Sequence, residues 1–257
     1  GCKGRGTYRR QAGHGPFAPP VCVVNLSPAS ARAMSGLPVL KHLVRLVMFT
    51  EFTYDDGTHK AGIKVPEIEG LGDPELEEAL NTQYLERCRE LYDSFVERLG
   101  KDEVTPEVLA LFTNHRIVTD TEDLVVVESI ETAIGASGAE SVRYDNIDLK
   151  NRIILTLPGL FRNDSYVDVI SENIKAQMRE KTDLTEGIMY FIKGESSPDD
   201  SGFDKIEPEQ TFYINEDSKL VIVFDEYEVA PGSMGIVEFV IPTEAIAELL
   251  VSDAYVK

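Results

Sequence analysis

Side chains that could do chemistry are plentiful in this chain, but few stand at catalytic spacing. The four histidines, His14, His42, His59 and His115, are far apart. None has a second ligand one helical turn away, as a His-Glu-x-x-His zinc site requires. Gly135-Ala136-Ser137-Gly138 sets a serine between glycines, yet the second glycine comes one position too early for a nucleophile elbow. No serine is followed three residues later by lysine, and neither a Gly-x-Gly-x-x-Gly fingerprint nor a phosphate-cradling loop occurs. Glu226 and Glu228 would share one face of a strand, and paired carboxylates can hydrolyse glycosides. Among 45 acidic residues that spacing discriminates little, and a solvated strand face is the plainer reading. Asp55-Asp56 and Glu216-Asp217 fall in turns that lack the order of an EF-hand loop. No catalytic residue, metal or cofactor is expected, and the chain does not read as an enzyme.

One stretch stands out for another reason. In FDEYEVAPGSMGIVEFVIP (224–242) acidic, aromatic and aliphatic residues alternate up to Val229, and a second apolar run follows Gly235. Glycines at 232 and 235 permit positive φ and Pro231 fixes φ, so the segment between is a defined corner. It either turns the chain between strands or offers a rigid loop to a partner, where little ordering entropy is lost on binding. Tyr227, Ala230, Pro231, Gly232 and Met234 are the candidate partner-binding residues.

The elements that must position this corner are legible along the chain. LVRLVMFTEFTY (43–54) and HKAGIKVP (59–66) flank the hairpin signal Asp55-Asp56-Gly57. Asp73 can cap a helix that ends near Gly100. Leu76, Leu80, Tyr84, Cys88, Leu91, Tyr92, Phe95 and Leu99 recur at three and four and trace its apolar stripe. Residues 111–121, 124–135 and 140–147 read as successive antiparallel strands, and RIILTL (152–157) as a shorter one. Asp164 and Ser165 open a second helix with Tyr166, Val169, Ile170, Ile174 and Met178 on one face. QTFYIN and KLVIVF flank Glu216-Asp217-Ser218 as a hairpin, and Thr243 is placed to cap a terminal helix with Ile246, Leu249 and Leu250 inward. Strands in runs with few long helices argue for an α+β fold, two-lobed, with antiparallel sheets packed against a few helices.

Charge narrows the partners. Seven of the 25 Lys/Arg and none of the 45 acids lie in the first 50 residues, which leaves 18 bases against 45 acids, or −27, for the remainder. Such a body repels nucleic acid and attracts cationic partners. The most apolar run, LPVLKHLVRLVMF (37–49), is interrupted by Lys41, His42 and Arg45 and does not make a membrane helix. Cys2, Cys22 and Cys88 are odd in number and make no disulfide framework, and Cys88 falls on the helix's apolar stripe. Residues 1–22 read as a flexible head. In the lead-in 23–42, Ala31 and Ala33 stand in small-residue pairs of the kind a signal peptidase requires.

SVRYDNID (141–148), ILTLPGLF (154–161), SYVDVISENIKAQM (165–178), the long segment 209–242 and the lead-in VVNLSPASARAMSGLPVL (23–40) together resemble the extracytoplasmic part of RsiV-type anti-sigma factors. The resemblance covers residues 43–109 as an N-terminal module and 110–257 as a C-terminal module of unassigned function. It implies a non-enzymatic sensor, held at the cell surface by a membrane anchor that this chain does not include. Ligand binding would expose a membrane-proximal site to signal peptidase, at Ala31 and Ala33, and further proteolysis would free a sigma factor held through a segment also absent here. A basic protein such as lysozyme is the implied ligand, and no nucleic acid. The same modules accompany cell-wall deacetylases, so a module that binds cell-wall peptidoglycan or a cell-wall enzyme without signalling is the alternative.

Overall fold

In the computed structural model, residues 44–99, 108–135, 138–195 and 202–257 are described. The first hairpin forms where Asp-Asp-Gly predicts it. β1 (Arg45–Asp55) and β2 (Lys60–Glu69) pair antiparallel. Asp55 Oδ1 accepts the Gly57 N–H, and Asp56 Oδ1 accepts those of Thr58 and His59. Asp73 caps α1 (Pro74–Leu99), its Oδ1 accepting the N–H groups of Glu75 and Leu76. The predicted stripe is the buried face: Leu80, Tyr84, Cys88 and Phe95 are all inside.

α1 carries the chain back along the sheet, and that return decides the next pairing. β3 (Ala110–Asp120) runs parallel to β2, through Lys60, Ala61 and Gly62 against Ala110, Leu111 and Phe112. The sheets were expected to be wholly antiparallel. This one crossover pair departs because a long helix between two strands reverses the direction that a tight turn would give. β4 (Leu124–Ile134), β5 (Ala139–Asp148) and the two-residue β6 (Ile153–Ile154) complete a six-stranded sheet in sequence order.

A second sheet of three antiparallel strands, β7 (Phe212–Ile214), β8 (Leu220–Phe224) and β9 (Val237–Ile241), follows α2 (Ser165–Lys181). The class is α+β. One face of the six-stranded sheet packs on α1, where Val125, Val127 and Ile147 meet Leu80 and Tyr84. On its other face Leu124, Val126, Val142 and Tyr144 join α2 and the second sheet in the largest core cluster. A bulge between Ile117 and Thr119 turns β3 so that Thr119 faces that second core.

Asp164 and Ser165 open α2 as expected, and Asn163 Oδ1 accepts the Ser165 N–H. One cap differs from expectation. Thr243 makes no capping bond in the four-residue α3 (Thr243–Ile246); its hydroxyl donates to the Lys257 carbonyl at 2.7 Å and ties down the C-terminus.

Candidate functional site

The strand alternation ends earlier than the sequence implies. β8 stops at Phe224, and residues 225–236 form a loop with turns at 226–228 and at Gly232–Met234. Glu226 and Glu228 therefore do not share a strand face as expected. Their carboxylates are spent on backbone N–H groups: Glu226 Oε2 accepts Glu140 N–H at 2.9 Å, and Glu228 Oε2 accepts Asp225 N–H at 2.8 Å. Asp225 Oδ1 takes the Val142 N–H at 2.8 Å, and the Glu226 N–H donates to the Glu140 carbonyl. Glu140 and Val142 lie on β5 beyond the short β6, so the acidic loop occupies an edge that would otherwise leave N–H groups unpaired. Burial raises the carboxyls of Asp225 and Glu228 above their usual range, against the hydrogen bonds each accepts.

The candidate partner-binding residues separate into two groups. Ala230 is 1% exposed and faces the core, so it offers no side chain to a partner. Met234 is half-buried, its Sδ accepting the Met189 N–H at 3.4 Å. Pro231 and Gly232 are half-buried as well, and Tyr227 makes the outer face. Tyr227 is 51% exposed and holds φ at 71°, a left-handed conformation that a non-glycine residue adopts at a cost. Its ring lies directly on Gly232, where a Cβ would fall 2.2–2.5 Å from the ring's outer atoms. Glycine at 232 thus gives the tyrosine its seat. Replacing Gly232 by alanine should swing the exposed ring off the loop with less than about 1 kcal/mol lost in stability. The near-ultraviolet circular dichroism and the melting temperature together check this. Ala31 and Ala33 lie outside the described residues.

Beneath the loop's first residue lies a cavity of about 330 Å³ between α1 and the six-stranded sheet, lined in part by Tyr84, Arg87, His115, Glu131, Arg143 and Asp225. Sequence reading missed it because its walls come from α1, three strands and the loop. Its one legible sign was polar residues at alternating strand positions opposite the apolar stripe of α1. His115 is fully engaged there, with Ser129 Oγ at 2.8 Å and the Lys64 carbonyl at 2.9 Å. Burial lowers its pKa and favours the neutral ring. Among the described residues no group of three or more His, Cys, Asp or Glu could hold a metal ion, and no helix is long and apolar enough to cross a membrane.

Comparison with known proteins places this geometry. Residues 159–244 match the family model "Protein of unknown function (DUF3298)". The anti-sigma-V factor RsiV of Bacillus subtilis is 41% identical over 236 residues, covering 91% of this chain and 81% of that protein. Crystal structures of DUF3298-family proteins from Bacteroides fragilis and Pseudomonas aeruginosa share the fold, at 17% and 16% identity. Their TM-scores are 0.56 and 0.55, with 82% and 83% of this chain covered and 95% and 96% of theirs.

Proposed function

Because this chain belongs to the family of the anti-sigma-V factor RsiV, we propose that it is the extracytoplasmic, ligand-sensing part of a membrane-anchored anti-sigma factor. In this reading residues 43–109 and 110–257 are its two modules. Ligand binding exposes the segment around Ala31 and Ala33 to signal peptidase, and the cut leads to release of the sigma factor. The observation that carries the proposal is identity of 41% along nine-tenths of the chain. Charge and backbone geometry support the choice of ligand. The −27 body suits a strongly basic protein such as lysozyme. Tyr227, strained at positive φ and exposed, is the kind of residue found where a surface is built for contact.

The test is calorimetric titration of the chain with a c-type lysozyme at low and at moderate salt. Specific recognition is expected to persist at moderate salt and to fall at least tenfold in Pro231→Ala and in Tyr227→Gly. The glycine variant relieves the strained φ, so the protein should be no less stable while its ring is gone. Binding that disappears with added salt would reduce the interaction to charge attraction. No binding in either condition would sink the lysozyme reading and favour a cell-wall binding module.

A further inference from the structure

A second loop emerges beside the 225–236 loop, at the same end of the second sheet. Three hydrogen bonds fix how α2 and its flanks run past β9. The Arg162 N–H donates to the Leu249 carbonyl and Gln177 Nε2 to the Val240 carbonyl, both at 2.9 Å, and the Met189 N–H donates to Met234 Sδ at 3.4 Å. Residue numbers rise along the first segment as they fall along the second, so the turn after α2 comes out next to the corner. A further bond, from the Phe191 N–H to the Val229 carbonyl at 2.8 Å, joins the two loops near their base.

The turn at 183–188 is held still by its own hydrogen bonds. Asp183 and Ile188 exchange backbone bonds of 2.9 Å each way. Asp183 Oδ1 accepts the Thr185 N–H at 2.9 Å and the Thr185 hydroxyl at 2.6 Å, and Gly187 takes a φ of 77°. On this turn Leu184 is 72% exposed, the most exposed large apolar side chain among the described residues. It adds nothing to the core, and its rigid backbone loses little ordering entropy when a partner covers it. Between Leu184 and Tyr227 the ground is apolar and adaptable, with Ile188, Met189, Met234 and Ile236 all half-buried. Charge frames it with one sign. Residues 182–192 hold two acids and residues 220–242 hold four, with no Lys or Arg in either stretch. Of the bases that bracket the first stretch, Lys181 turns its ammonium onto the Phe239 ring and Lys193 pairs with Asp204.

We propose that Leu184 and Tyr227 are the two apolar anchors of one docking surface, and that its occupant is a protein whose contact face is apolar at the centre and basic at the rim. The inference rests on the reading of this chain as a receptor for a basic protein, and it adds the turn after α2 to that contact. The acids of both loops draw the partner in, and the two exposed side chains decide whether it stays.

Calorimetric titration of Leu184→Ser and Leu184→Asp with a c-type lysozyme, at moderate salt, tests it. Each variant is expected to bind about tenfold more weakly than the native chain, the loss that follows when most of a leucine side chain is no longer buried on binding. The aspartate separates an apolar anchor from charge attraction, because an added acid tightens binding to a basic protein by charge alone. An unchanged melting temperature in both variants is expected as well, since Leu184 packs against no core. The inference is overturned if the native chain binds and Leu184→Asp binds as tightly or more tightly. Absence of binding by the native chain is the distinct outcome that overturns the receptor reading, and this surface falls with it.

Discussion

Replacing Asn146 by alanine should lower the unfolding free energy by about 3 kcal/mol, the sum expected for two buried backbone groups left without partners. Asn146 is fully buried on β5, on the face away from α1. Its Nδ2 donates to the Phe212 carbonyl at 3.1 Å and its Oδ1 accepts the Ile214 N–H at 3.0 Å. One side chain thus stands in for a strand pairing between the six-stranded sheet and β7. Thr119 adds a single bond to the Ile214 carbonyl at 2.8 Å, so Thr119→Val should lose less. Urea denaturation of both variants decides the matter. A loss below about 1 kcal/mol for Asn146→Ala would mean that apolar packing alone joins the sheets.

Phe239→Ala should be costlier still, at about 4 kcal/mol, within the range for deleting a buried aromatic ring. Phe239 is wholly buried on β9, in an edge contact with Phe224 at 5.9 Å and a tilted contact with Tyr190 at 5.6 Å. The Lys181 ammonium, at the end of α2, lies 4.9 Å from its ring centre. The ring therefore joins helix, sheet and the segment after α2 at one point, and the surrounding groups cannot collapse far into its space. Val240 next to it is 48% exposed on the opposite strand face, so Val240→Ala should change stability by less than about 0.5 kcal/mol. Thermal unfolding of the two variants side by side gives the contrast. Equal losses would contradict the assigned faces of β9.

Much of the fold was legible because its signals are local. The hairpin at Asp55–Gly57, the Asp73 cap and the stripe of α1, and the meander of β3 to β5 each follow from turn chemistry or period. What escaped was what depends on a remote partner. No pattern within β2 or β3 announces that they pair with each other, and parallel. RIILTL keeps only Ile153 and Ile154 in the sheet: Leu155 still donates its N–H to the Asn146 carbonyl, and the chain then turns into the short helix at Pro158–Leu160, while the Asp225–Glu226 segment holds β5 farther along, at Glu140 and Val142. The alternation of Asp225 to Val229 mimics a strand, but the carboxylates turn back onto backbone N–H groups and Tyr227 takes a positive φ. Of the candidate site, the corner and its glycine were readable, whereas the inward direction of Ala230 was not. YDNID (144–148) carries the family resemblance, and here it is a set of internal ties. Tyr144 donates to Glu128 at 3.0 Å, Asp145 meets two arginines, Asn146 holds β7, and Asp148 accepts from Asn151 and Tyr255.

The parallel joint between β2 and β3 also orders the folding reaction. β3, β4 and β5 are neighbours in sequence, and each finds the next by closing a short turn. β2 can meet β3 only after the chain between positions 60 and 110 has been gathered in, at a greater entropic cost of loop closure. α1 shortens that span by stacking its residues into a rod, but an isolated helix of this kind draws most of its stability from the surface it lies on. The meander is thus the template and the N-terminal hairpin the late arrival. A chain halted midway would present the bare α1-side face of its central strands, with the cavity floor exposed before its roof exists.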